Sequence, residues 1–342
     1  MQLRRKGTSD FTRRSFLAQT SALGASWLFA PPKAALADPP PETDRIRLVK
    51  NPAICLAPEY VAEDLLRVEG FSQVQYADIE DLDAVGMLEA NHADMTVASA
   101  PDFLPFVEAG KSAVALAGLH GGCYELFVNE RVRAIRDLKG KRVAVIEAGN
   151  SPEYFYVSSM VAYVGMDPRK DINWIEGHTF DATMQLFVDG KVDGFLGFPP
   201  QPQQLRRAKI GRVMVNTAQD RPWDQYYCCM ISARRDFVKK YPVATKRAVR
   251  AILKATDVCA REPERAVRYI VAKGYEPSYE VALEVITSLS YDRWRTHDPE
   301  SSLRFFGVRL HEAGLIKTSP ETLIKRGTDW RFLNELKKEL KA

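Results

Sequence analysis

Ala93-Asp94-Met95-Thr96-Val97-Ala98-Ser99-Ala100-Pro101 returns, 99 positions later, as Val192-Asp193-Gly194-Phe195-Leu196-Gly197-Phe198-Pro199-Pro200. In both copies an amphipathic stretch ends, an aspartate turns the chain, a short apolar run follows and proline stops it. An apolar run of this length, bounded by turn residues, reads as a buried strand. The pattern occurs twice only, so it does not describe a repeat array. It predicts one strand-and-helix unit used once in each of two lobes.

The flanking sequence agrees with that reading. Ile46 to Val49, Val74 to Tyr76, Met95 to Ala98 and Ala113 to Leu119 read as strands, with helices over Pro58 to Arg67, Leu82 to Ala90 and beyond Pro101. A second alternating series has strands at Val143 to Ile146, Asn173 to Ile175, Gly194 to Gly197 and Arg212 to Val215. Helices fall between them, at about Glu153 to Val164 and Ala182 to Val188. Such alternation predicts an α/β fold with largely parallel sheets. From Phe237 the pattern turns helical, as at Val243 to Ala260, where Val249, Ile252 and Leu253 keep helical spacing.

The 342 residues suffice for two lobes with a core each. Residues 1–37 hold Arg4, Arg5, Lys6, Arg13, Arg14 and Lys33 against Asp10, a balance of +5, which leaves −1 for the rest of a chain whose net charge is +4. The basicity belongs to this leader, so no nucleic-acid-binding face is implied. Thr12-Arg13-Arg14-Ser15-Phe16-Leu17, a weakly apolar run to Ala30 and Ala35-Leu36-Ala37 have the layout of a secretory signal with its cleavage site. The paired arginines resemble the twin-arginine export motif, although Ala18 replaces its usual basic residue. Cleavage is expected after Ala37, and residues 38–44, proline-rich at the start, read as a stiff linker.

Cys55, Cys123, Cys228, Cys229 and Cys259 fit no metal-site spacing, and are expected to be mostly reduced, buried small residues. His92, His120, His178, His297 and His311 form no H-E-x-x-H pattern, and no G-x-S-x-G, P-loop or G-x-G-x-x-G is present. No cofactor and no catalytic residue is therefore expected. Of the histidines, His120 alone, beside Gly121, has a plausible cleft position.

Leu88-Glu89-Ala90-Asn91-His92-Ala93-Asp94, Asp137-Leu138-Lys139-Gly140-Lys141-Arg142-Val143-Ala144-Val145, Leu186-Phe187-Val188-Asp189-Gly190-Lys191-Val192-Asp193 and Arg235-Asp236-Phe237-Val238-Lys239-Lys240-Tyr241-Pro242 occur in that order. Together they resemble the SsuA/THI5-like (NMT1-type) substrate-binding proteins of the nitrate, taurine and sulfonate transport group. The resemblance implies a type II periplasmic binding protein fold, with two lobes, a hinge, a ligand cleft and a helical C-terminal region. Lobe I would comprise 45–130 and 232–342, and lobe II 131–231. It implies a periplasmic, monomeric protein that is no enzyme. Its partners would be a small-molecule ligand, an ABC permease with its ATPase and, during export, the twin-arginine machinery. Tyr226-Tyr227-Cys228-Cys229-Met230 is similar to part of the cysteine-rich segment of the pyrimidine-precursor synthases of this group but has fewer cysteines; a buried strand is the plainer reading. A synthase and a ligand-responsive sensor remain the alternatives.

Ligands of open α/β sheets bind at the carboxyl ends of strands. That rule selects Asn51, Pro52, Ser99, Ala100, Gly122, Cys123 and Tyr124 from the first lobe, and Gly149, Asn150, Ser151, Tyr154, Thr179, Asp181 and Phe198 from the second, with Tyr226 near the return crossing. In Gly149-Asn150-Ser151-Pro152, Ser151 suits a helix cap and Pro152 its first position, so free N–H groups there could hold a carboxylate or sulfonate. Tyr124, Tyr154, Phe198 and Tyr226 could stack on a flat ligand. Several of them together in the cleft would favour an aromatic or heterocyclic solute over a small inorganic anion.

Overall fold

The computed structural model describes residues 38–51, 53–79 and 83–341. The leader at residues 1–37 and Pro52 lie outside the described residues. The chain divides into two units, Met1–Pro39 and Pro40–Ala342. Of the first only Asp38 and Pro39 are described, in irregular backbone, and all the described strands and helices belong to the second.

Two five-stranded sheets carry the fold. The first holds β1 (Arg45–Lys50), β2 (Gln73–Asp78), β3 (Met95–Ser99), β4 (Ala113–Gly121) and β10 (Tyr227–Arg234), in the order β2-β1-β3-β10-β4. The second holds β5 (Glu125–Val128), β6 (Arg142–Val145), β7 (Asn173–Glu176), β8 (Gly194–Gly197) and β9 (Arg212–Asn216), in the order β7-β6-β8-β5-β9. The two orders are the same once β5 is matched to β10. Each sheet is parallel at its β2-β1-β3 or β7-β6-β8 end, and takes in one antiparallel strand supplied from across a crossing. The sheets are therefore mixed rather than largely parallel.

The echoed sequences form β3 and β8, which occupy equivalent places. Their aspartates make equivalent bonds. Asp94 N donates to Arg47 O over 2.8 Å and Asp193 N to Arg142 O over 2.7 Å, while Asp94 O accepts from Arg234 N (2.9 Å) and Asp193 O from Asn129 N (3.1 Å). The carboxylates repeat this one bond further out. Asp94 Oδ2 accepts from Arg47 N at 3.0 Å, and Asp193 Oδ2 from Arg142 N at 3.0 Å. Asp94 Oδ1 then reaches Arg234 Nη2 at 3.2 Å and Asp193 Oδ1 reaches Asn129 Nδ2 at 2.8 Å. Each aspartate thus ties a parallel neighbour to the strand inserted from across the crossing.

The crossings fall at 122–124 outward and 217–226 on the return. β5 is already in the second sheet before the crossing expected near 130, and β10 is already in the first before the return expected near 232. Between strands of the first sheet lie α1 (Ala57–Val68), α2 (Ala84–Glu89) and α3 (Ala100–Glu108), and between strands of the second α4 (Pro152–Tyr163), α5 (Pro168–Asp171), α6 (Phe180–Val188) and α7 (Gln201–Ala208). After β10 come α8 (Arg235–Lys240), α9 (Pro242–Arg261), α10 (Pro263–Ala272), α11 (Tyr279–Ser288), α12 (Pro299–Glu312), α13 (Pro320–Gly327) and α14 (Arg331–Glu339). This helical region reaches both sheets' helices, because α12 packs on both α3 and α4. Within the segment expected to be a stiff linker, both Glu42 carboxylate oxygens accept from the first free N–H groups of α9, at Val243 (2.9 Å) and Ala244 (2.8 Å). Among the described residues no helix is long and apolar enough to cross a membrane.

Candidate functional site

Helices α1, α3 and α4 are the first α-helices after β1, β3 and β6, each with proline at the start and an acid in the first turn: Glu59, Asp102 and Glu153. A surface acid there would stay ionised, favoured by the helix dipole. These three are buried, with exposures of 0%, 2% and 3%. Glu59 Oε1 and Oε2, Asp102 Oδ1 and Glu153 Oε2 have no hydrogen-bond partner. Burial outweighs the dipole. It pushes the Glu59 and Asp102 carboxyls well above the usual range, with Glu153 adding to the shift of Asp102, and pushes Glu153 up to about 7. A neutral carboxyl can both donate and accept a hydrogen bond.

The serines at the same helix starts are similarly unfinished. Ser99 and Ser151 stand at the N-cap positions of α3 and α4, but neither side chain caps its helix, and both Oγ atoms are buried without a partner. The expected Ser151 cap is thus absent, while Gly149 and Asn150 before it are exposed. Asn150 Nδ2 is spent on Glu147 Oε2 at 3.0 Å. Asn51 is buried and donates from Nδ2 to Thr96 Oγ1 at 3.3 Å, and its carbonyl accepts from Tyr60. Ala100 is buried at the start of α3. Thr179 is exposed and caps α6 through Ala182 N at 3.2 Å, with Asp181 exposed in the following turn.

The aromatic candidates divide. Phe198 and Tyr124 meet edge to face with ring centroids 6.0 Å apart, and Tyr124 continues to Tyr156 at 5.0 Å. Tyr156 reaches Phe306 of α12 at 5.2 Å, and Tyr226 stacks on Phe305 at 3.9 Å. Tyr124, Phe198 and Tyr226 therefore join one wall running from the edge of the second sheet to α12. Tyr154 does not join it. Two residues from Tyr156 and so on the other side of α4, it packs against Trp174 of β7 at 4.8 Å. Tyr156 and Phe306 lie inside helices rather than at strand ends, so the carboxyl-end rule passes over both.

Gly122 serves the chain itself. A Cβ there would lie 2.0 Å from Thr217 O and 2.4 Å from Ala218 N, so the outgoing and returning crossings touch backbone to backbone. Thr217 completes the contact: its Oγ1 accepts from Tyr124 N at 3.0 Å and donates to Tyr124 O at 2.9 Å.

Beside this contact lies a cluster that linear spacing hides. Cys123 Sγ is 3.3 Å from Cys228 Sγ, which is 3.2 Å from Cys229 Sγ and 3.4 Å from His120 Nδ1. His120, Cys123, Cys228 and Cys229 are all buried, and they are a donor set able to hold a metal ion. All five cysteines are free and buried. Hydrogen bonds from the Cys123, Cys228 and Cys55 thiols hold Cys229 well below the ordinary thiol range. Burial opposes a charge on His120, but the Cys228 and Cys229 sulfurs overcome it and raise the imidazole. A groove of about 330 Å³ lined by Val61, Leu65, Val258 and Tyr269 carries none of these residues.

A model of the family described as NMT1/THI5 like matches residues 66–266. The bicarbonate-binding protein CmpA of Synechococcus elongatus (strain ATCC 33912 / PCC 7942 / FACHB-805) is 27% identical over 117 residues, 34% of this chain and 25% of that protein. The chain therefore matches about a quarter of the length of this curated relative. Among solved structures, the periplasmic nitrate-binding protein NrtA from Synechocystis PCC 6803 superposes with a TM-score of 0.72 at 15% identity, covering 88% of this chain and 90% of that one. The alkanesulfonate-binding protein SsuA from Xanthomonas axonopodis pv. citri, bound to MOPS, gives 0.68 at 14% identity, covering 86% and 99%. At these identities the structures bear on the fold, which is that of the periplasmic binding proteins.

Proposed function

Because the chain belongs to the NMT1/THI5-like family, we propose that it is the periplasmic solute-binding component of an ABC importer, and that its solute is a flat, hydrogen-bonding heterocycle rather than a small inorganic anion. The observation that carries the second half is the set of buried acids at three helix starts. An anion would use those N–H groups, but Glu59, Asp102 and Glu153 bring carboxyls of their own there. Carboxyls that burial pushes toward the protonated form, with unpartnered oxygens, suit a ring edge that offers both donors and acceptors, as an aminopyrimidine does. Two charged solutes, a sulfonate and nitrate, would meet acids whose own ionisation is already opposed by burial. In the wall of Phe198, Tyr124 and Tyr156, half-buried Phe198 is the ring placed to stack on a solute, with Tyr124 and Tyr156, 6% and 0% exposed, packed behind it.

The export half rests on Arg13-Arg14 and Ala35-Leu36-Ala37, and the partners follow from the importer reading: a permease, its ATPase and the twin-arginine machinery, with the binding protein a monomer. The relatives' names support capture rather than catalysis. Loaded protein must differ from empty protein for a permease to respond, so the solute must bind one lobe arrangement preferentially. A thermal-shift screen of pyrimidines, aromatic acids, nitrate, bicarbonate and sulfonates tests the reading. A heterocycle at a hundredfold excess over its Kd should add about 2.7 kcal/mol of stability, and mass spectrometry should return it unchanged. A response to the inorganic anions or sulfonates alone would overturn the solute class, and consumption of the solute would overturn the binding role.

A further inference from the structure

Two stretches of chain, 105 residues apart from Cys123 to Cys228, deliver one imidazole and three thiols to one point. His120 comes from the end of β4, Cys123 from the outgoing crossing, and Cys228 and Cys229 from the start of β10. One donor atom from each lies within 4.8 Å of all the others. A tetrahedral ion with metal–sulfur bonds of about 2.3 Å holds its ligand atoms roughly 3.7 Å apart. The Sγ pairs at 3.2 and 3.3 Å would open by only a few tenths of an ångström.

The strand is distorted in a way that makes the cluster. Successive residues of a regular strand point to opposite faces, which would separate Cys228 from Cys229. The register of β10 against β4 slips between Tyr227 and Cys229 and again between Cys229 and Met230, with Cys229 paired to His120. Irregularities of this kind re-aim side chains, and here both sulfurs arrive on the same side. The exposures are 0% for His120 and Cys228 and 7% for Cys123 and Cys229. His120 Nδ1 lies 2.9 Å from Gly121 O and 3.4 Å from Cys228 Sγ, while Nε2 is buried with no partner, so one ring nitrogen is left unsatisfied by its protein neighbours.

We infer that His120, Cys123, Cys228 and Cys229 form a closed, four-coordinate site for a thiophilic cation of the zinc(II) type. Three sulfurs and one nitrogen, buried from water, are the donor set of a structural rather than a catalytic zinc site. The ion would join β4, the outgoing crossing and the returning strand, and so hold the two crossings in register. The inference does not depend on which solute is captured.

The test uses the full chain, reduced and stripped of metal, then titrated with zinc(II) or cobalt(II). One ion per chain by elemental analysis is expected, and the cobalt form should show a thiolate-to-metal charge-transfer band with the visible bands of a tetrahedral ion. Cys228→Ser and Cys123→Ser should each weaken binding by about 100-fold or more, whereas Cys259→Ser, a buried thiol outside the set, should leave stoichiometry and spectrum unchanged. Substoichiometric zinc in the reduced native chain would overturn the site, as would a cobalt spectrum without thiolate bands or a Cys123–Cys228 disulfide protein that binds no ion after reduction. The native-chain measurements decide even where a variant fails to fold.

Discussion

Glu153 shows how a single side chain couples the site to pH. Its carboxyl titrates near 7 because it is buried, whereas in the unfolded chain it titrates near ~4.3. Between those values the unfolded state gives up the proton and the folded state keeps it. Stability therefore falls as pH rises through that window and is level above it. The full effect is roughly 4 kcal/mol at about 1.4 kcal/mol per unit. Glu153→Gln should remove this share, so urea midpoints measured from pH 4.5 to 7.5 should decline less steeply than in the native chain. An unchanged slope would assign the loss to Asp102 and Glu59 instead. The sequence indicates a helix beginning near Ser151 but not which side chains of Tyr154-Phe155-Tyr156-Val157 face the crossing. This helix is apolar on all sides, so periodicity leaves its rotation open. For that reason the sequence points to Tyr154, where Tyr156 is the ring that joins the aromatic wall.

At the scale of elements, the echo around Asp94 and Asp193 is legible because it is local: turn, strand and proline stop lie within nine residues. The strands β5 and β10 are harder. Glu125-Leu126-Phe127-Val128 is a four-residue run, and Tyr226 to Met230 admits two readings, because the partners that make each a central antiparallel strand lie far off in sequence. The cysteine cluster is hidden for the same reason. Spacing along the chain finds metal donors in one loop or helix, not those gathered from β4, a crossing and β10. Asp94 measures what the echoed unit contributes. Its side chain is 6% exposed and bonds both Arg47 and Arg234. Burial alone would raise this carboxyl, but the Arg47 guanidinium and then Arg234 hold it below the ordinary aspartate range. A lowered carboxyl stabilises the fold above the unfolded value and loses that contribution as pH falls below about 4. Asp94→Ala leaves Arg47 and Arg234 facing a buried gap and should cost about 3 kcal/mol in urea unfolding at pH 7. The native-minus-variant difference should shrink when the measurement is repeated at pH 3. A cost that persists undiminished at pH 3 would mean that packing, not the ion pairs, dominates.

At the scale of the whole molecule, the two sheets share one buried core, and the crossings and the helices packed across them join the sheets. The outgoing backbone at Gly122 lies against the returning backbone at Thr217, and Thr217 Oγ1 bonds both polar groups of the Tyr124 backbone. Helix α12 adds a second bridge by packing on α3 and α4. On the proposed binding role, closure on a solute would act through these contacts, so their tightness would matter for binding as well as for stability. A methyl at Gly122 would meet Thr217 O at 2.0 Å. Neither partner is a side chain that can swing away, so the crossings must separate. Gly122→Ala should cost roughly 1–3 kcal/mol, as overpacking does, and should also weaken solute capture, because the lobes would start from a displaced arrangement. A neighbouring substitution separates the two effects. Thr217→Val keeps the volume while removing the hydroxyl bonds to Tyr124, so it should lower the melting temperature without forcing the crossings apart. If Gly122→Ala loses affinity for the solute beyond what Thr217→Val loses at matched stability, the backbone contact sets the lobe arrangement. Equal losses would reduce the crossing to a stabilising contact with no role in closure.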